Sequence, residues 1–151
     1  MIKVIVTTPT VDSIPDYSSD DVLGGLQSLY GATRSAATGS ILLSCSILSK
    51  VAVAVPLRII FFYSNPSATT FTENSTLSIN SADYTKVIGH VDIQVSDSAD
   101  LGTPDILTKN NINLPFILDG GTTLYACCLA RGTLNLNSSS DLTFRYCFLQ
   151  D

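Results

Sequence analysis

Apolar and polar residues alternate with a period of two along most of this sequence, and that period belongs to β-strands. In ILLSCSI (residues 41–47) every second residue, Ile41, Leu43, Cys45 and Ile47, is apolar, so these four fall on one face of a strand. VDIQVS and LTFRYCF repeat the pattern further along the chain. The one helix candidate is short, NSADYTKVIG (80–89). The sequence therefore predicts an all-β fold.

The alternating segments predict about eight strands. They cover residues 2–8, 22–31, 40–48, 55–63, 87–96, 112–118, 122–130 and 141–149. Eight short strands are typical of a β-sandwich of jelly-roll or related Greek-key type. A chain of 151 residues has the usual length of one domain, so we expect a single domain over residues 1–151.

The core is predicted from the apolar residues that share a phase within each strand. It contains Val4, Ile41, Leu43, Ile47, Leu57, Ile59, Val91, Ile93, Leu124, Phe144 and Tyr146. The same phase in VDIQVS places Val95 inward.

Glycine and proline mark interruptions of the predicted strands. Gly24 and Gly25 interrupt the second strand and predict a β-bulge. Gly120 and Gly121 predict a tight hairpin between the sixth and seventh strands, because glycine adopts positive φ without strain. Pro115 cannot donate to a ladder, so its strand is predicted at a sheet edge.

Few residues of this chain are charged. Charged residues make up 14% of it, against about 25% in average globular proteins, and Ser, Thr and Asn supply the polarity instead. Such a surface is desolvated at low cost and suits a protein that packs against others. The net charge is −5 with no basic cluster, so the electrostatic signature of nucleic-acid binding is missing.

No membrane or targeting segment is expected. The most apolar stretch (51–63) contains Pro56 and Arg58 and is shorter than the ~20 residues of a membrane helix. No signal-peptide pattern is recognisable, so we expect the chain to stay in the compartment where it is made.

Residues that could carry chemistry are sparse. His90 is the only histidine, and no nucleophile motif accompanies it. Asp12, Asp16, Asp20 and Asp21 offer oxygen ligands of the kind calcium binds, but their spacing does not match an EF-hand loop. We expect a solvated loop there, with calcium as the open alternative. We expect no enzyme, no cofactor and no resident metal.

The four cysteines are predicted to stay reduced. They lack the C-x-x-C spacing of a zinc site. Cys127 and Cys128 are neighbours on a predicted strand, so their side chains point to opposite faces and cannot share a partner. We predict no disulfide.

Several segments together resemble a family of small all-β virion structural proteins of tailed bacteriophages. The segments are DVLGG (21–25), FFYSNPSATTFTENSTL (61–77), DYTKVIGHV (83–91), LPFILDGGTTLYACCLARGT (114–133) and DLTFRYCFLQD (141–151). The chain departs from that pattern at Tyr63, where an acidic residue is expected, and at Cys127 and Cys128, which replace aliphatic residues.

The resemblance implies a capsid decoration, or cement, protein. Such a protein is made in the host cytoplasm, binds the major capsid protein across capsomer junctions on the outer capsid surface, and is expected as a homo-oligomer, with a trimer favoured. The alternative is a tail, fibre or baseplate module that contacts a host receptor or glycan. A virion enzyme is the third hypothesis.

The loop of residues 64–79 is the predicted protein interface. It is long and its only charge is Glu73. A proline turn stiffens it, and Phe71, Leu77 and Ile79 can anchor it. The predicted contact residues are Asn65, Pro66, Ser67, Thr69, Thr70 and Phe71.

Overall fold

The structure is a computed structural model that describes residues 1–151. Its ten strands are β1 (Ile2–Thr7), β2 (Val22–Leu29), β3 (Gly39–Ser49), β4 (Leu57–Phe62), β5 (Val87–Ile93), β6 (Ser98–Asp100), β7 (Asp105–Lys109), β8 (Leu114–Ile117), β9 (Leu124–Ala130) and β10 (Leu142–Gln150). The helical segments are two 3-10 turns, Tyr84–Lys86 and Val95–Asp97. Neither has the length or apolarity needed to span a membrane.

The strands form two antiparallel sheets. Sheet 1 has the order β1-β10-β3-β7-β6, with β8 also paired to β3, and sheet 2 has the order β2-β9-β4-β5. The pairing is nested: β1 pairs with β10, β2 with β9, β3 with β7 and β8, and β4 with β5. A chain that folds back on itself in this way is a jelly roll, so the predicted β-sandwich is confirmed.

All eight predicted strands are present, and the structure adds two short ones. β6 and β7 lie in the segment 97–111, between the predicted strands 87–96 and 112–118. β7 and β8 pair consecutively with β3, so they are two halves of one strand, interrupted where Asn111 and Asn113 have positive φ. The predicted helix over 80–89 is wrong beyond its 3-10 turn, because residues from Val87 onward pair with β4 instead.

The turn at Gly120 and Gly121 does not close a hairpin. Both glycines have positive φ, as expected, but β8 belongs to sheet 1 and β9 to sheet 2, so the turn carries the chain between sheets. Pro115 does lie on an edge strand, since β8 pairs only with β3. The bulge at Gly24 and Gly25 is also confirmed, by the register shift between Leu23 and Leu26.

The core fills the space between the two sheets. Eight of the predicted core residues are buried: Ile47, Leu57, Ile59, Val91, Ile93, Leu124, Phe144 and Tyr146. The Phe61 ring of sheet 2 meets the Tyr146 ring of sheet 1 edge-to-face, with 6.1 Å between centroids.

The predicted phase of β3 is wrong in its first half. Leu42 is fully buried, whereas Ile41 and Leu43 are half-exposed. The ladder with β10 shifts register between Cys147 and Phe148, which leaves Leu43 as the extra residue of a bulge. One extra residue reverses the faces on its far side, and the alternating sequence does not reveal it.

The predicted inward position of Val4 is also wrong. Val4 is 52% exposed, while Ile5 packs against the core opposite Tyr146. IKVIVT has apolar residues in both phases, so its pattern alone does not determine which face turns inward. Val95 is likewise exposed, because β5 ends at Ile93 and a 3-10 turn follows.

All four cysteines are free thiols, three of them buried. Cys128 lies in the core between the sheets and Cys127 in a smaller cluster on the other side of sheet 2, so the predicted divergence is confirmed. Burial raises the pKa of the Cys45 and Cys127 thiols to about 12.

We therefore expect a thiol reagent such as DTNB to label native protein quickly at Cys147 alone, because the thiolate is the reactive form. Protein denatured without reductant should show all four thiols. A count below four after denaturation would mean that a disulfide forms.

Candidate functional site

The long connection of residues 64–86 covers the outer face of sheet 2. Beneath it lies the small cluster of Val22, Phe62, Cys127 and Leu129. Phe71, Leu77 and Ile79 pack onto this cluster, and the Phe71 ring meets Phe62 edge-to-face with 5.8 Å between centroids. The three predicted anchors are thus confirmed, and they attach the loop to the chain's own sheet.

Asp83 holds the two ends of this loop together. Its fully buried carboxylate accepts hydrogen bonds from the Ala68 N–H (2.9 Å), the Thr69 hydroxyl (2.8 Å) and the Lys86 ammonium (2.7 Å). Desolvation raises the pKa of Asp83, but the hydrogen bonds from Lys86 and Thr69 outweigh it and keep the pKa below its ordinary value. The ionised form is therefore the one that fits this site.

We expect the stabilisation by Asp83 to be lost in acid. Because its pKa is lower in the folded chain than the ordinary 3.8, the carboxylate stabilises the fold above that pH, and the effect disappears as the pH falls through the folded-state pKa. The difference in Tm between the wild-type protein and Asp83→Asn should be largest near neutral pH and should shrink below pH 3.8. A difference independent of pH would contradict this role.

Glu73, the only glutamate, joins the loop to the rest of the chain. Its carboxylate accepts hydrogen bonds from the Gly24 N–H (2.5 Å), the Asp12 N–H (3.3 Å) and the Tyr17 hydroxyl. Burial raises the pKa of Glu73, and these hydrogen bonds oppose that rise. The residue thereby ties together the loop, the β2 bulge and the segment 9–21.

The predicted interface residues divide into two groups. Asn65, Ser67 and Thr70 are exposed, whereas Pro66 and Thr69 are buried and Phe71 packs on sheet 2. Of the exposed group, Thr70 lines a shallow depression of about 380 Å³ with an almost entirely hydroxyl and amide lining. Its lining residues are Ala68, Thr69, Thr70, Thr72, Ser75, Thr76, Ser78 and Asn80. A contact with another chain through this loop stays a prediction.

The aspartates of the segment 12–21 do not converge. Asp21 accepts hydrogen bonds from the Ser18 N–H and the Thr76 hydroxyl, and Asp20 pairs with Arg131. No three His, Cys, Asp or Glu side chains are arranged to hold a metal ion. These two carboxylates thus connect loops and strands through hydrogen bonds and an ion pair.

His90 is exposed, as its strand position indicates. Its Nε2 lies 3.7 Å from Asp92 Oδ2. That carboxylate already accepts hydrogen bonds from Arg58 Nε at 2.6 Å and Arg58 Nη2 at 3.0 Å. The Arg58 hydrogen bond holds the pKa of Asp92 below its ordinary value. Asp92 therefore works as the partner of an arginine, and the histidine sits beside that pair.

The outer face of sheet 1 is uncovered, a feature that was not predicted from the sequence. A row of apolar residues in register crosses four strands of this face: Ile2, Leu149, Ile41 and Pro115. The outward residues of β1, β10, β3 and β8 include one charged side chain, Arg145. The apolar residues that alternate along β1 lie on this face, but their pattern was interpreted as facing the core.

No protein-family model matches the sequence, and no curated protein matches it either. The fold is similar to chains in several solved virus structures. A structure of infectious bursal disease virus, Gt strain, matches with 13% identity and a TM-score of 0.35, over 98% of this chain and 35% of that one. Desmodium yellow mottle tymovirus matches with 12% identity and a TM-score of 0.30, over 99% and 86%. Israeli acute paralysis virus matches with 14% identity and a TM-score of 0.27, over 98% and 68%.

This chain spans about a third of the length of the first of these viral chains. All three TM-scores are below 0.5, so these similarities carry no functional argument.

Proposed function

We propose that this protein is a bacteriophage virion structural protein that decorates the outside of an icosahedral capsid. In this role it binds the major capsid protein across capsomer junctions and stabilises the shell. The observation that carries the proposal is the bare outer face of sheet 1, which is apolar and nearly uncharged. Jelly rolls are a common architecture of viral capsid proteins, and an exposed apolar face of this kind is typical of a surface that binds another protein.

The outer faces of the two sheets differ in their exposure to solvent. Sheet 2 is covered by the 64–86 loop, whereas sheet 1 leaves Leu149 and Ile117 41% and 65% exposed. Burial of apolar area contributes about 25 cal/mol per Å², and few charges would have to be desolvated here. The exposed loop residues Asn65, Ser67 and Thr70 lie on the sheet 2 side and supply a separate, polar contact in the proposed complex.

The carboxylates of Glu73 and Asp83 also favour a structural role over an enzymatic one. Each accepts three hydrogen bonds, and these attach the 64–86 loop. A catalytic acid or base must instead be free to exchange a proton with its substrate.

The proposal is tested on capsid particles with two matched variants. Leu149→Asp places a charge in the middle of the apolar row, and Leu101→Asp makes the same change at an exposed leucine after β6. We expect Leu149→Asp to abolish decoration and the particle's added thermal stability, and Leu101→Asp to preserve both. Equal binding by both variants would remove the sheet 1 face from the contact.

Copy number per particle separates decoration from a tail location. Quantitative mass spectrometry of purified particles should give a number comparable to that of the major capsid protein. A small fraction of that number would place the chain in the tail.

We expect the protein to be a trimer on the particle, because decoration sites often lie at threefold or quasi-threefold positions. Native mass spectrometry of protein released from particles, or threefold density in a particle reconstruction, measures this state. Isolated single copies on the shell would contradict it.

A tail or fibre module that binds a host glycan is the second candidate. The hydroxyl-lined depression favours it, and so do Tyr30 and Tyr84, which are 73% and 65% exposed at the same end of sheet 2. Tyrosines at sugar sites offer both a ring and a hydroxyl. Binding to a glycan array that is lost in a Tyr30→Ala/Tyr84→Ala variant would support this candidate.

A further inference from the structure

The backbone of β1 has a free edge. The Gln150 N–H donates to the Met1 carbonyl (2.8 Å), and the Met1 nitrogen donates to the Gln150 carbonyl (2.6 Å). These two residues are therefore a hydrogen-bonded pair of the antiparallel ladder, and such pairs alternate with pairs whose N–H and C=O groups point away. Along β1, the groups of Ile2, Val4 and Val6 point away from β10.

The same three residues carry exposed apolar side chains. Ile2 is 57%, Val4 52% and Val6 54% exposed, all on the outer face of sheet 1. Unpaired backbone groups and bare apolar side chains thus coincide on one six-residue strand. A long, regular edge of this kind is a template for pairing with another strand.

The other strand edges of the molecule are protected. β8 contains Pro115, and β6 is three residues long. β2 is bulged, and the loop bridges its first residue, Val22, through Glu73. β5 has a register shift opposite Phe61 and carries Asp92. On β1 the only comparable feature is Lys3, on the inner side of the strand.

We propose that β1 pairs antiparallel with β1 of a second copy of this chain, about a twofold axis at Val4. Val4 then faces Val4 of the second copy, and Ile2 faces Val6 of the second copy on either side. Sheet 1 continues across the two molecules, and the six apolar side chains form one row on its outer face.

The second copy is favoured because this pairing is self-complementary in shape and charge. Each outward apolar residue, Ile2, Val4 or Val6, meets an outward apolar residue of the second copy, which is the condition for an isologous contact on that face. Lys3 falls opposite Ile5 of the second copy, so the two lysines do not face one another. β1 contains no carboxylate, so the negative charge of the chain is not concentrated at this contact.

The β1 pairing does not depend on the proposed virion role. The β1 contact has twofold symmetry and the proposed trimer has threefold symmetry, so the two require different surfaces. A lattice on a particle could use both, and the isolated chain is sufficient to test the first.

The first test is sedimentation equilibrium of the isolated chain over a wide concentration range. We expect a reversible monomer–dimer equilibrium that Val4→Pro weakens by at least about tenfold, because proline removes the central N–H donor. Proline is tolerated at an edge position whose N–H faces solvent, so the monomer should stay folded. Thr143→Lys, on the same face but beyond the end of β1, should leave the equilibrium unchanged. A wild-type chain that stays monomeric at all concentrations overturns the proposal, and so does one that forms only trimers.

The second test is a symmetric crosslink, which does not depend on affinity. Directly paired residues have Cα atoms about 5.5 Å apart, within the range that a disulfide spans. Val4 also lies opposite Cys147 in its own chain, so Val4→Cys is made together with Cys147→Ser. Mild oxidation should yield a covalent dimer from this variant but not from Thr143→Cys with Cys147→Ser. Equal crosslinking of both variants, or none from the first, overturns the proposed pairing.

Discussion

Replacing Phe61 with alanine is expected to lower the free energy of unfolding by about 3–5 kcal/mol. Phe61 is fully buried, and its ring meets Tyr146 edge-to-face between the two sheets. The Tyr146 hydroxyl in turn donates to Gln27 Oε1 at 3.0 Å, so the cavity would open beside a buried polar contact. The loss combines lost burial with a cavity that a sandwich held by ladders on both sides cannot close.

Phe71→Ala is the matched control for this prediction. It removes the same atoms from a ring that is half-buried under the 64–86 loop. Urea denaturation should give a smaller loss for Phe71→Ala, with similar m-values for both variants. Equal losses would mean that the loop contributes as much to stability as the core between the sheets.

Gly24→Ala is expected to destabilise the protein by roughly 2–5 kcal/mol, from a left-handed backbone and from overpacking. Gly24 has φ of +79°, and a Cβ there would lie 2.4 Å from Pro9 Cβ and 2.7 Å from Pro9 Cγ. The proline ring is rigid, so the two segments would have to move apart. The Gly24 N–H also donates to Glu73, which means that such a shift would disturb the loop attachment as well.

Two further variants separate the contributions. Gly25 has φ of +66°, but a Cβ there would meet only the Phe71 carbonyl oxygen at 3.8 Å, so Gly25→Ala should cost about 1–2 kcal/mol. In a Pro9→Gly background, Gly24→Ala should lower the stability by about as little as Gly25→Ala does in the wild type, because the ring atoms that clash with the new Cβ are gone. The cycle is completed by the denaturation midpoints of the wild type, of Gly24→Ala, of Pro9→Gly and of the double variant. An undiminished loss in the Pro9→Gly background would show that backbone conformation alone explains it.

Part of the candidate site was accessible from the sequence. Phe71, Leu77 and Ile79 were identified as loop anchors because apolar residues in a polar loop need a surface to cover. Which surface they cover was not encoded locally. The partners of Glu73 and Asp83 lie up to 61 residues away or within the loop's own turns, and hydrogen bonds over such separations follow from the fold. The bare face of sheet 1 was missed for the same reason.

The sequence by itself determined where the strands run and which residues interrupt them. Alternation along β10 identified its buried face, Pro115 identified an edge, and two adjacent glycines identified a bulge, because local sterics and burial act on neighbouring residues. The tertiary structure alone decided the phase of β1, the register shift at Leu43 and the sheet to which β8 and β9 belong. A period-two pattern is unchanged when it is turned over, so only the partner strand determines which face of β1 meets the core and which remains free for another molecule.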